Sequence, residues 1–254
     1  MTIKTVEFRR LKDDSGLCHG VFTRKGGVSL PPFDSLNVGL GLGDGDPLVL
    51  KNRRLVSHHM NASNSLYLNQ IHGRDILVLK KEDQYENYRL TRDRLTADGV
   101  ITDISGLLLV IQTADCQAVL LYDPVKRVIG NIHSGWRGSA ADIIGNAVDR
   151  MKDEFGCDPG DITAGIGPSL GPCCAEFLNY REELPEAFWK YRTDRSSHYF
   201  NFWEISCDQL KEKGVKPENI EVSGLCTKCS SHDFFSHRKE KPTGRFATAI
   251  QLNP

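Results

Sequence analysis

The sequence predicts a mixed α+β sandwich built as one domain over residues 1–254. Three observations point there. Strand-length apolar runs follow one another at 106–112, 118–122 and 128–132, continuous enough to be buried on both faces. Helix-period segments cluster after these runs, without the regular strand-helix-strand alternation of a parallel α/β protein. And 254 residues, 39% of them hydrophobic, suffice for a large core.

The elements read in order as follows. Val6 to Leu11 and Leu17 to Thr23 have strand character and end at the turn Lys25-Gly26-Gly27. Ser35 to Pro47, with glycine at 39, 41, 43 and 45, reads as a long loop, either plain surface or substrate-facing. It lacks the GxxxxGK[ST] pattern of a phosphate-cradling Walker loop. Pro47 to Met60 predicts a helix capped by Asp46. Polar Tyr85 to Arg94 predicts a loop. The second and third apolar runs are separated by the turn signal Asp123-Pro124.

From Ala140 to Phe155, Ile143, Ile144, Ala147, Val148 and Met151 recur at helical steps, and Gly156 supplies a stop. Ile162 to Ile166 predicts a short strand, Glu182 to Tyr191 and Glu204 to Lys213 helices, and Phe246 to Ile250 a last strand.

A formal charge of −1 argues against a broad polyanion-binding surface, so no nucleic-acid partner is expected. The charged start MTIKTVEFRRLKDD has no apolar signal core, and no run is long enough to span a bilayer. The expectation is a cytoplasmic protein with no membrane partner, in which eight cysteines are weak evidence for disulfides. Its oligomeric state is not legible.

Chemistry concentrates around Cys116 and His133. Both stand at ends of neighbouring buried strands, where pairing would bring them close. His72, beside a loop glycine in NQIHG, completes a His/Cys/His set of the softness that suits Zn²⁺ or copper, with a fourth position left for water or substrate. The same residues also permit a metal-free reading, with Cys116 as thiolate nucleophile and His133 as its base. Asp115 could orient a histidine or cap a turn, and Asp98, in TADG, is another loop carboxylate open to a turn role or a site role.

The order of motifs resembles the YfiH-type family, also called the laccase-domain or multicopper polyphenol oxidase family. The resemblance rests on HGVFTRKGGVS (19–29), SLNVG (35–39), NQIHG (69–73), ADGVIT (97–102) and TADCQAVLLYD (113–123). It continues through HSGWRG (133–138), GIGPSLGPCC (165–174), CTKC (226–229), FFSHR (234–238) and TGR (243–245). It implies a layered sandwich similar to the catalytic domain of the cytotoxic necrotizing factors, and metal ligands at His72, Cys116 and His133. It also implies a purine nucleoside phosphorylase with adenosine deaminase activity, acting on adenosine, inosine, guanosine and methylthioadenosine with phosphate.

Phosphate calls for arginines or backbone N–H groups. Arg24, Arg137, Arg238 and Arg245 lie in the motifs, and Arg24 and Arg238 are the choices for anion or substrate binding, with Asn37 for ribose or base. Two other reactions compete. A phenol-oxidising laccase needs several coppers on many histidines, whereas this chain has eight His and no His-x-His pair. A Cys-His amidase would use Cys116 and His133 without metal. Cys226 and Cys229, with His232 and His237 behind them, read as buried thiols, a redox pair or a second metal site. Cys173-Cys174 reads as a packed turn near the site rather than a strained vicinal disulfide.

Overall fold

A computed structural model describes residues 2–82, 95–196 and 198–254. The loop expected at 85–94 lies outside them.

The chain runs β1 (Thr5–Val6), α1 (Arg9–Lys12), β2 (Leu17–Phe22), α2 (Asp46–His59), β3 (Asn64–Tyr67), β4 (Ile76–Leu79), β5 (Gly99–Thr102) and β6 (Leu107–Thr113). It continues through β7 (Gln117–Asp123), β8 (Val128–Ser134), α3 (Trp136–Ala140), α4 (Ile143–Phe155) and β9 (Thr163–Ile166). It closes with α5 (Tyr180–Glu183), α6 (Phe202–Glu212), β10 (Ile220–Val222) and β11 (Phe246–Leu252). One sheet has the order β1-β2-β11-β6-β3 and the other β10-β9-β7-β8-β5-β4.

Strand periodicity explains why the apolar runs are continuous. On β6, Leu107, Leu109 and Ile111 face the core between the sheets, while Leu108 and Val110 pack outward with Val56 and Met60. On β7, Ala118, Leu120 and Tyr122 point inward, while Val119 and Leu121 pack outward with Ile144, Val148 and Met151 of α4 and Leu210 of α6. Each sheet is thus covered on both faces, giving helix, sheet, sheet and helix layers in the mixed α+β class the sequence predicts. Buried Asn131 of β8 stitches the sheets, donating to the carbonyls of Leu109 and Thr248 across the interface.

Several elements differ from expectation, each for a local reason. Val6 to Leu11 is not one strand: β1 stops after two residues and α1 begins at Arg9. The Phe8 N–H is captured by His19 Nε2 at 2.8 Å, and the Glu221 carboxylate accepts from the N–H groups of Arg9 and Arg10. Those acceptors satisfy donors that a helix start leaves free. The N-cap of α2 is Gly45, and Asp46 falls inside the first turn without a capping bond.

The helix expected from Ala140 begins instead at Ile143, because Ala140 closes the separate short helix α3. Asp142 adopts left-handed geometry (φ 54°) and its side chain accepts from the Gly145 N–H, restarting the helix. Gly156 (φ 68°) ends it as expected. Glu182 to Tyr191 is broken by Leu184-Pro185 into α5 and a 3-10 turn over Glu186–Tyr191, because proline disfavours helix at and before itself. Among the described residues no helix is long and apolar enough to cross a membrane.

Candidate active site and metal centre

Strand register brings the chemistry to one end of the second sheet. β7 pairs antiparallel with β8 so that Ala118 faces His133, which sets Cys116, just before β7, beside that histidine. β5 pairs with β8 through Gly99 and Ile132, and the His133 N–H donates to the Asp98 carbonyl at 2.6 Å. The loop after β3 carries His72 to the same end, because β4 runs parallel to β5.

Asp98, fully buried, organises the group. Its carboxylate accepts the ring N–H at His133 Nδ1 (2.7 Å) and the backbone N–H groups of His72 (2.9 Å) and Gly73 (2.6 Å). His72 sits at φ 60°, a left-handed conformation costly for a residue with a Cβ, and these amide bonds help hold it there. The His72 and His133 rings meet edge to face with centroids 4.8 Å apart.

Charge is redistributed accordingly. Burial alone would raise the Cys116 thiol, but hydrogen bonds with His133 and His72 bring it down to about 6. Burial alone would lower His133, yet Asp98 and Cys116 raise it to about 9. Asp98 would likewise rise on burial, but the His133 bond and the Gly73 amide hold it below the ordinary carboxylate value.

The donor set fits a soft divalent ion. Ligand atoms of His72, Cys116 and His133 lie within 4.8 Å of one another, and Asp98 occupies Nδ1 of His133, leaving Nε2 for a metal. Room is kept for an ion by Gly135. A Cβ there would stand 2.9 Å from His72 Nδ1 and 3.2 Å from Cys116 Sγ.

The group opens into a cavity of about 620 Å³. Trp136, Phe177, Leu170 and Phe202 form an apolar wall, while His237 and the cations Arg238 and Arg245 form a polar rim. Phe177 packs on Phe202 at 5.3 Å and on Trp136 at 6.3 Å. The exposed Arg238 guanidinium lies 5.6 Å from the Phe177 ring and donates to the Glu176 carbonyl. Burial lowers the Arg245 guanidinium, while Cys116 and Asp115 counter the shift, which places its charge close to the thiol.

The other sequence candidates stand elsewhere. Arg24 does not line this cavity. Its guanidinium is spent on the carbonyls of Asp34 and Ser231 and on Glu240 at 3.0 Å, stacked 4.4 Å over Phe235. Asn37 is fully buried and ties the chain: its Oδ1 accepts from the N–H groups of Gly39 and Arg245, and its Nδ2 donates to Asp44. It therefore positions the Arg245 backbone and does not itself line this cavity. Asp115 lines the cavity but orients no histidine. Its carboxylate accepts from Thr227 Oγ1 (2.7 Å) and the Arg238 N–H (2.6 Å), fixing the rim. The histidine-orienting role belongs to Asp98, and the half-buried cation whose charge acts on the thiol is Arg245. TGR carried that second signal, but spacing gave no way to rank its arginine above Arg24.

Residues 18–253 match the family model described as multi-copper polyphenol oxidoreductase laccase. The chain belongs to this family. Within this laccase-domain family, it is 32% identical over 243 residues to the purine nucleoside phosphorylase YlmD of Bacillus subtilis, covering 92% of this chain and 87% of that one. It is 34% identical to the purine nucleoside phosphorylase YfiH of Escherichia coli, covering 91% of each. The crystal structure of YlmD from Geobacillus stearothermophilus superposes with a TM-score of 0.85 at 33% identity, covering 94% of this chain and 93% of that one. The YfiH-type resemblance and the layered α+β fold are therefore properties of this laccase-domain chain.

Proposed function

We propose that the chain is a zinc-dependent purine nucleoside phosphorylase that also deaminates adenosine, with adenosine, inosine, guanosine and methylthioadenosine as substrates. One observation carries the reading: a His/Cys/His ligand set sits in a cavity that pairs an aromatic wall with two arginines. The wall suits the face of a purine, and the arginines suit phosphate. The names of the relatives agree with it.

Phosphorolysis forms a bond from phosphate oxygen to the anomeric carbon while the carbon–nitrogen bond to the purine breaks. Positive charge develops on the ribose, and the electron pair leaves with the base. Arg238 and Arg245 hold the anion, and Asp115, by gripping the Arg238 N–H, sets the rim that aims it. Trp136 and Phe177 hold the purine and exclude water. His237, depressed by burial and then by Arg245, is neutral near pH 7 and offers a proton acceptor beside the phosphate. Asp98 holds the His133 ring through Nδ1, which leaves Nε2 as the atom that would hold the metal. Zinc, when bound, supplies a Lewis acid and an acidified water for attack at C6 of adenine. Copper is the alternative occupant of a soft His/Cys site. A laccase reaction is less well supported, because among the described residues this mixed group offers three ligands and the other cluster is all cysteine.

Incubation of metal-quantified protein with adenosine tests the reading. Adenine and ribose 1-phosphate, formed only with phosphate, are expected, and inosine reports deamination. Absence of both products with zinc bound would overturn it.

A second reading has its own observation. Cys116, His133 and Asp98 lie in the order nucleophile, base and orienting carboxylate, the arrangement of a Cys-His amidase. Amide hydrolysis by chelated protein, blocked by alkylation of Cys116, would favour it.

A further inference from the structure

A second group of ligands stands apart from the His/Cys/His set. The Sγ atoms of Cys173, Cys174, Cys226 and Cys229 all lie within 4.8 Å of one another, with Cys229 3.6 Å from both Cys173 and Cys174. All four are free thiols. Hydrophobic packing does not gather them, because Cys173 and Cys229 are exposed, whereas cysteines that pack as small apolar residues are among the most buried side chains. A tetrahedron of Zn–S bonds about 2.3 Å long has edges of about 3.8 Å, close to the spacing seen here.

The backbone is shaped for the cluster. Gly171 lets its loop approach the Cys226 turn, since a Cβ there would stand 3.1 Å from Cys226 Cβ and 2.9 Å from the Trp203 ring. The Cys226-x-x-Cys229 turn is closed by the Ser230 N–H on the Cys226 carbonyl at 2.9 Å. Between the two loops, the Ser169 N–H donates to Leu225 and the Thr227 N–H to Ser169.

We propose that Cys173, Cys174, Cys226 and Cys229 form a structural zinc site, a four-thiolate tetrahedron that staples the 167–176 loop to the 224–238 loop. Four Zn–S bonds form as the thiol protons leave to solvent, with no change in oxidation state. The staple matters to the cavity because both loops build it. The first carries Ser169 and Leu170, and the second carries Thr227, which holds Asp115, and then His237 and Arg238. The site does not depend on the nucleoside reading.

The test uses the full chain with the other centre emptied. Cys116→Ala, purified under reducing conditions, should retain about one zinc per chain by elemental analysis. Adding Cys173→Ser and Cys229→Ser in that background should remove it. Loading the Cys116→Ala chain with Co²⁺ should give intense near-ultraviolet sulfur-to-metal bands and tetrahedral visible bands, lost in the cysteine variants. Should those variants fail to fold, the zinc content and cobalt spectrum of Cys116→Ala decide alone. A Cys116→Ala chain that holds no zinc and shows no such cobalt bands would overturn the proposal. So would intact mass showing a disulfide within the cluster, or iron in place of zinc.

Discussion

Asp98 grips His133 through its side chain and His72 through its backbone with the same carboxylate. The Oδ1 atom lies 2.7 Å from His133 Nδ1 and 2.9 Å from the His72 amide nitrogen. One residue therefore sets the ring orientation of one metal ligand and the left-handed backbone of another.

It follows that Asp98→Asn should weaken metal binding. The amide keeps the shape of the side chain but loses the charge that holds the His133 proton. Loss of such an orienting partner costs about 10–100-fold in metal affinity. Competition with a chromogenic chelator measures it. Unchanged affinity would remove Asp98 from the site.

Gly135→Ala should empty the His/Cys/His centre without unfolding the chain. The new methyl would crowd His72 Nδ1 at 2.9 Å and Cys116 Sγ at 3.2 Å. Gly135 itself has ordinary negative φ, so the backbone tolerates a side chain there. Metal content should fall while the melting temperature of the metal-free protein stays near that of the parent. Full metal loading in the variant would contradict the geometry.

In chelated protein, Cys116 should react with iodoacetamide with a midpoint near pH 6, set by its neighbours His133 and His72. The reactive form is the thiolate, so labelling rises as pH climbs through that value. An ordinary thiol would need pH near 9. Peptide mapping separates Cys116 from the other cysteines, and a midpoint near 9 would refute the assigned environment.

How much of this was legible in the sequence is instructive at particular residues. The strands that set Cys116 and His133 were readable because both sheets are covered on both faces, which writes a run such as VLLY without alternation. The break at Asp142 was not readable, because the apolar period of α4 continues back across it and only a local side-chain bond restarts the helix. Among site residues, His72, Cys116 and His133 converge as a set. Asp98 could not be separated from a turn aspartate, since its partners are 25 and more residues away. Arg24 looked like an anion site because a motif arginine beside glycine is ambiguous until its partners are known. The cysteines at 173, 174, 226 and 229 fell in two motifs whose proximity only the β-bridge between Ser169 and Cys226 reveals.

Arginine substitutions should divide along that line. Arg245→Ala and Arg238→Ala should raise the phosphate KM, because both guanidiniums border the cavity. Arg24→Met should leave the phosphate KM alone and lower stability by about 2 kcal/mol, since it strips the part-buried carbonyl and carboxylate acceptors of a buried guanidinium. Phosphate titration of initial rates, paired with urea unfolding, distinguishes the groups. A raised phosphate KM in Arg24→Met would return that residue to the site.

Stability itself should fall with acid through His19, far from the cavity. Burial lowers its pKa from 6.5 to about 4, and its Nε2 lone pair accepts the Phe8 N–H that starts the turn into α1. The sign follows from linkage. Below pH 6.5 the unfolded chain takes up a proton that the folded chain refuses until about pH 4, so stability is lost as pH falls through that window and levels off beneath it. The full loss amounts to about 3 kcal/mol. His19→Gln keeps a side-chain acceptor for Phe8 but has nothing to titrate. Urea unfolding from pH 7 to 4 should therefore show a shallower decline in the variant than in the parent. Parallel curves would mean that the Phe8 bond does not depend on a neutral His19.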